Sequence, residues 1–229
     1  MIAPALAALL AVMLDGGATA AQRNDACYAL RGERAPEAIA ALAAAITDKV
    51  VRSCAARDLR EAGAVPTLIS ALAAADADTQ MAAARELGEL QDARALEPLG
   101  SAAVSDNPLV GAAAITALGS YPTGDALPYL MKAAGQPGVN GVNALEQAAR
   151  SKSPEVLKRA RQLLASPDVA SQVIALAIVG DLGDSSDLPK LRDLAAHSDP
   201  QYSRGRGFGF MPPIDVARAA QTAIARITK

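Results

Sequence analysis

The stretch Ala95–Gly119, ALEPLGSAAVSDNPLVGAAAITALG, decides how the chain folds. Ser105, Asp106, Asn107 and Pro108 are turn formers, and they separate two arms made largely of Ala, Leu, Val and Ile. A pair of such arms cannot bury its apolar stripes alone, so pairs must stack on one another. The first-arm phrase recurs on either side. Its apolar marker sits at Val65 (AVPTL), Leu96 (ALEPL), Leu127 (ALPYL), Val156 (EVLKR) and Leu188 (DLPKL), in steps of 31, 31, 29 and 32 residues. An earlier copy begins near Ile39 (AIAAL), 26 residues upstream. A second track runs in phase through Ala55, Ala83, Ala114, Ala144, Ala175 and Ala220. Leu59, Leu87, Leu118, Ala148, Val179 and Ile224 each follow it by four residues. Two tracks with one period mark a repeat array.

Composition sets the class. The chain has 229 residues and is 51% hydrophobic but only 3% aromatic, with no Trp. Ala and Leu favour helices, whereas strands favour aromatic and β-branched residues, so the expectation is all-α. The net charge of −2 lacks the basic face that nucleic acid or an anionic membrane requires. Each unit is predicted to be a two-helix hairpin, the second running over Ala64–Ala74 and Thr79–Leu90. Asp48, Asp76, Asp78, Asp106, Asp168 and Asp199 precede second helices as caps. Gly63, Gly119 and Gly183 end them in the left-handed conformation, and Pro66, Pro98, Pro128 and Pro189 sit near the starts of first helices.

The ends of the array differ from its middle. Ile2–Leu14 is an apolar run, closed by Asp15-Gly16-Gly17 and followed by the small-residue pattern Ala18-Thr19-Ala20. That arrangement predicts a signal peptide over 1–20 and a periplasmic or secreted protein, although no Lys or Arg precedes the run. Residues 21–35 are expected to form a capping helix, centred on Asp25–Arg31. Cys27 and Cys54 are the only cysteines. In an oxidising compartment they pair as a disulfide; as unpaired thiols they would be small core residues.

Ala95–Gly119 and LPKLRDLAAHSDP (188–200) resemble HEAT-like repeats of the short, phycobilisome-lyase type. The resemblance covers roughly 36–229. It implies a right-handed α-solenoid of about six stacked hairpins, with second helices lining a concave face. It also raises an enzymatic alternative, because relatives include bilin lyases and di-iron deoxyhypusine hydroxylases. The hydroxylases hold iron with paired His-Glu motifs, and this chain has one histidine, His197, followed by Ser198. The expectation is therefore no catalytic residue, metal or cofactor, and no enzyme. Glu86 and Glu89, and the basic groups Arg52/Arg57/Arg60 and Lys158/Arg159/Arg161, read as solvated faces.

One segment breaks the period. The Ala track jumps 45 residues between Ala175 and Ala220, which places an insertion at 200–213. It carries both phenylalanines, Phe208 and Phe210, with Tyr202, Arg204 and Arg206 between alternating glycines. Aromatic and Arg side chains anchor interfaces, so these five residues are the candidate partner-binding set. A lid over the last repeat and a Gly-rich tip are the other readings. The expected function is a noncatalytic interaction scaffold of the bacterial envelope. It would be a monomer that binds a protein partner along the concave face and this loop, with no nucleic acid and no membrane insertion after cleavage.

Overall fold

The computed structural model describes residues 3–74, 76–197 and 215–229. Every regular element among the described residues is helical, as composition predicts. The chain divides into two compact units, Met1–Tyr129 and Leu130–Lys229. The first holds α1 (Pro4–Leu14), α2 (Ala20–Ala29), α3 (Pro36–Ala45), α4 (Arg52–Glu61), α5 (Val65–Ala71), α6 (Ala77–Leu90), α7 (Leu96–Ala102) and α8 (Pro108–Leu118). Helix α9 (Thr123–Ala134) carries the boundary. The second holds α10 (Val139–Ala149), α11 (Pro154–Leu163), α12 (Val169–Leu182), α13 (Leu188–His197) and α14 (Val216–Ile227). A single 3-10 turn leads into α7 and another into α13.

Both units are built from the repeating hairpin. In the first, α3, α5 and α7 pack on α4, α6 and α8, and the second helices α2, α4, α6 and α8 pack side by side in order. In the second, α11 packs on α12 and α13 on α14, and α12 touches both α10 and α14. The alanine track explains the spacing. Ala55, Ala83, Ala114, Ala144, Ala175 and Ala220 are all fully buried, as are Leu59, Leu87, Leu118, Ala148 and Val179. In the first helices, the residue three or four after the marker is buried in every unit: Leu68, Leu99, Leu130, Ala160 and Leu191. Leu127 and Leu188 are only half-buried.

Two glycines act where helices meet. A Cβ on Gly88 would lie 2.9 Å from Ala117 Cα, and one on Gly180 would lie 2.8 Å from Ala223 Cα. These glycines therefore set how closely α6 approaches α8 and α12 approaches α14. Of the expected left-handed terminators, only Gly63 (φ 72°) takes that conformation. Gly119 is right-handed helical and Gly183 is extended. Helix α6 ends instead on left-handed Gln91, whose amide donates to Ser120 O. Tyr121 assists by donating its buried hydroxyl to Leu87 O at 2.9 Å. A distant side chain thus serves carbonyls that glycine caps satisfy elsewhere.

Capping follows the expectation at Asp76 and Asp168, which accept from Thr79 N and Ser171 N at 2.9 Å. It departs elsewhere. Asn107, not Asp106, caps α8, and Asp215 caps α14; Asp199 lies outside the described residues. Asp48 lies before the cap position Val51, accepting from Val50 N at 2.8 Å and pairing with Arg23. Pro128 lies inside α9, because that helix starts earlier, at Thr123. Helix α2 also starts earlier than expected, because Thr19 and Gln22 form a reciprocal capping box.

Candidate functional site

Three surfaces carry the side chains and grooves that could bind or react. The first is the junction of α2, α4 and α6. Helix α2 offers little apolar surface, and its sequence AAQRNDACYA places Cys27 opposite Cys54 of α4. The two sulfurs are in bonding contact and the Cα atoms lie 6.2 Å apart. Asp58, one turn beyond Cys54, is fully buried. Its Oδ1 accepts from Arg57 Nε and Nη2 at 3.0 and 2.7 Å. Its Oδ2 faces the sulfurs, 3.8 Å from Cys27 and 3.5 Å from Cys54. Burial raises the Asp58 pKa from its ordinary value, with Arg57 opposing. The Arg57 guanidinium also stacks 4.6 Å above the Tyr28 ring. Two sulfurs and a carboxylate resemble a metal-binding group in composition, but the sulfur–sulfur bond consumes the thiolates such a site would use.

Around this centre several side chains tie neighbouring repeats together, including Arg52, Arg60 and Glu86, which were expected on solvated faces, whereas Glu89 and Lys158 are exposed as expected. Arg31 grips Glu61 with both Nε and Nη2 at 2.8–3.0 Å. Arg52 reaches Asp76 and Asp78 in the next turn at 2.9 and 3.1 Å. Arg60 meets Glu86 at 2.9 Å, and Glu86 is only 4% exposed. In the second unit Arg161 grips buried Asp187 at 2.8 Å, and Arg159 donates to Ala134 O. For these arginines and Glu86 the expectation failed because spacing within one helix does not reveal which face meets the neighbouring repeat.

The second surface is the exposed side of the second helices. In the first unit, Met81, Arg85 and Glu89 of α6, Ala113 and Thr116 of α8, and Ser120 just beyond it flank a groove of about 330 Å³. In the second, Glu146, Arg150 and Lys152 border a groove of about 530 Å³ floored by Ile174, Ala177 and Ile178. The third surface is the turn edge of the first unit, where Ile69, Leu72, Pro98 and Val104 line a depression of about 580 Å³. None of these brings together a nucleophile, a base and an orienting group. His197 is exposed at the end of α13 and bonds Asp193 one turn back. Tyr202, Arg204, Arg206, Phe208 and Phe210 lie outside the described residues.

The family model described as HEAT repeats matches residues 65–148. No curated protein matches the sequence. Among solved structures, the chain is similar to the complex of CpcE and CpcF of phycocyanin lyase from Nostoc sp. PCC7120. Identity is 21% with TM-score 0.45, covering 99% of this chain and 95% of that one. Human deoxyhypusine hydroxylase is similar at 14% identity and TM-score 0.43, covering 97% and 96%. An engineered protein matches at 19% and 0.45, covering 99% of both chains. The expectation that the chain is not an enzyme does not stand: a lyase and a hydroxylase are among the similar structures. A shared fold does not separate catalysts from scaffolds, because function resides in sites carried on it. Among the described residues the chain is all-helical, and residues 65–148 of its hairpin array match HEAT repeats.

Proposed function

We propose that the chain is an exported, monomeric interaction scaffold of the bacterial envelope that binds a protein partner on the exposed faces of its second helices. The observation that carries this reading is the pair of open grooves along those helices, apolar-floored and charge-rimmed in the second unit. Apolar area ringed by polar groups is the composition of a protein-binding patch. Tyr202, Arg204, Arg206, Phe208 and Phe210 add anchors to the same partner. Export is supported by α1, an apolar helix in which Met13 is the one buried side chain and Val12 and Leu14 stay exposed. No helix among the described residues is long and apolar enough to cross a membrane.

Two measurements test the proposal. Mass spectrometry of protein from the periplasm of an expressing bacterium is expected to find an N-terminus at Ala21. Retention of Met1 in the cytoplasmic fraction would refute export. Deleting 201–212 is expected to leave helicity intact while weakening capture of the envelope partner. Unchanged capture, together with lost helicity, would assign that segment to the fold instead.

A further inference from the structure

The buried centre at the α2–α4 junction contains a carboxylate that no scaffold role requires. Asp58 is fully buried, and only Oδ1 receives hydrogen bonds, both from Arg57. No N–H or O–H among the described residues donates to Oδ2, which points at Cys27 and Cys54. While the sulfurs are bonded they carry no hydrogen, so Oδ2 is a buried acceptor without a donor. When they are thiols, each holds an S–H within reach of it. An anionic carboxylate is favoured by donors and disfavoured by their loss in a buried setting. We propose that Asp58 is proton-linked to the Cys27–Cys54 couple, taking up a proton when the sulfurs join and releasing it when they part. Acidification then hardens the tie between α2 and α4, and reduction becomes easier as pH rises.

The charged surroundings are accounted for. Arg57 and Glu61 on α4 and Arg31 on α2 act on Asp58, and Tyr28 lies under Arg57. On α6, Glu86 is occupied by Arg60 and Arg85. Helix α5 has no titratable side chain, and Glu37 of α3 is exposed. Burial raises the Asp58 pKa in the bonded form, which is the direction the linkage needs.

The linkage has a signature that a purely structural carboxylate lacks. A dithiol that reduces Cys27–Cys54 supplies both electrons and both protons and closes to its own disulfide. Thiols and disulfides then balance, so the equilibrium constant is independent of pH unless a neighbouring group titrates. If Asp58 enters as the neutral acid and leaves as the carboxylate, one proton is released. The constant then climbs by up to about tenfold per pH unit between the two Asp58 pKa values and is flat outside them. The experiment equilibrates the full chain with reduced and oxidised dithiothreitol from about pH 4 to 7, where carboxylates titrate and thiols stay protonated. Trapped thiols are counted by mass spectrometry. The wild type is expected to show the climb and Asp58→Asn a flat line. A flat wild type, or equal slopes in the two proteins, overturns the proposal. Should Asp58→Asn not fold, the Asp58 carboxyl carbon is titrated by NMR in both forms of the wild type. A higher midpoint in the bonded form supports the linkage, and equal midpoints overturn it.

Discussion

The α2–α4 junction of the first unit and the α12–α14 junction of the second join neighbouring second helices by different chemistry. Helix α2 is ten residues long, and only Arg23, Ala26 and Cys27 are buried. It is held by the Cys27–Cys54 contact, the Arg31–Glu61 grip and the Arg23–Asp48 pair at 2.6 Å. Helix α14 buries Val216, Ala220 and Ala223 on one stripe and lies against Gly180. Its one ion pair to α12, Arg226–Asp181, is exposed on both sides. Where a helix lacks an apolar stripe, the chain spends covalent and ionic ties on it. Where the stripe exists, a missing Cβ is enough to let the backbones approach.

The contrast can be broken most strongly at the cysteines. Replacing Cys27 and Cys54 together with Ala is expected to destabilise the chain by about 3 kcal/mol on the chain-entropy model, for a loop spanning 27 residues. Urea unfolding checks this, and an unchanged midpoint would mean that the ionic ties alone hold α2. Gly180→Ala attacks the other junction. Alanine gains about 1 kcal/mol of helix propensity, yet forcing Cβ against the Ala223 backbone costs about 1–3 kcal/mol, so net destabilisation is expected. Gly88→Ala should behave alike against Ala117, and a gain in stability at either glycine would refute the close-approach account.

Smaller effects refine the comparison. Asp76→Ala and Asp168→Ala each remove an N-cap, costing about 1 kcal/mol in urea unfolding. The Asp76 loss should be larger, because Arg52 also loses a partner. Both carboxylates have depressed pKa values from the hydrogen bonds they accept, as does Asp92, which Arg94 holds at about 2. Their stabilisation is present above the ordinary carboxylate pKa and is lost as pH falls through the depressed values. Asp58 has the opposite sign: its raised pKa favours the folded state at low pH and that favour is lost as pH rises through the raised value. Acid titration of unfolding, comparing Asp76→Ala with Asp58→Asn, should move in opposite directions. Smallest of all, Arg226→Ala should change stability by less than about 0.5 kcal/mol, an effect erased by salt, because the pair is solvated.

Much of the architecture was legible in the chain itself. The two in-phase tracks predicted the hairpin repeat, and all six marker alanines are fully buried. That information is local and periodic: one helix with its stripe states that it needs a neighbour, and the period states where the neighbour is. The caps were legible at Asp76 and Asp168 because an N-cap acts within its own turn. What tertiary structure alone decided is everything that reaches across about one repeat. Arg52, Arg60, Arg161 and Glu86 looked solvated until the next repeat supplied their partners. The role of Gly88 and Gly180 depends on Ala117 and Ala223 lying against them, which no pattern within one helix states. Asp58 carries no mark within its own helix, and only the stacking of α2 on α4 encloses it with two sulfurs. Periodicity fixes which stripe is buried, but the identity of the atoms opposite it depends on the side-by-side register of separate helices, which no single-helix pattern contains.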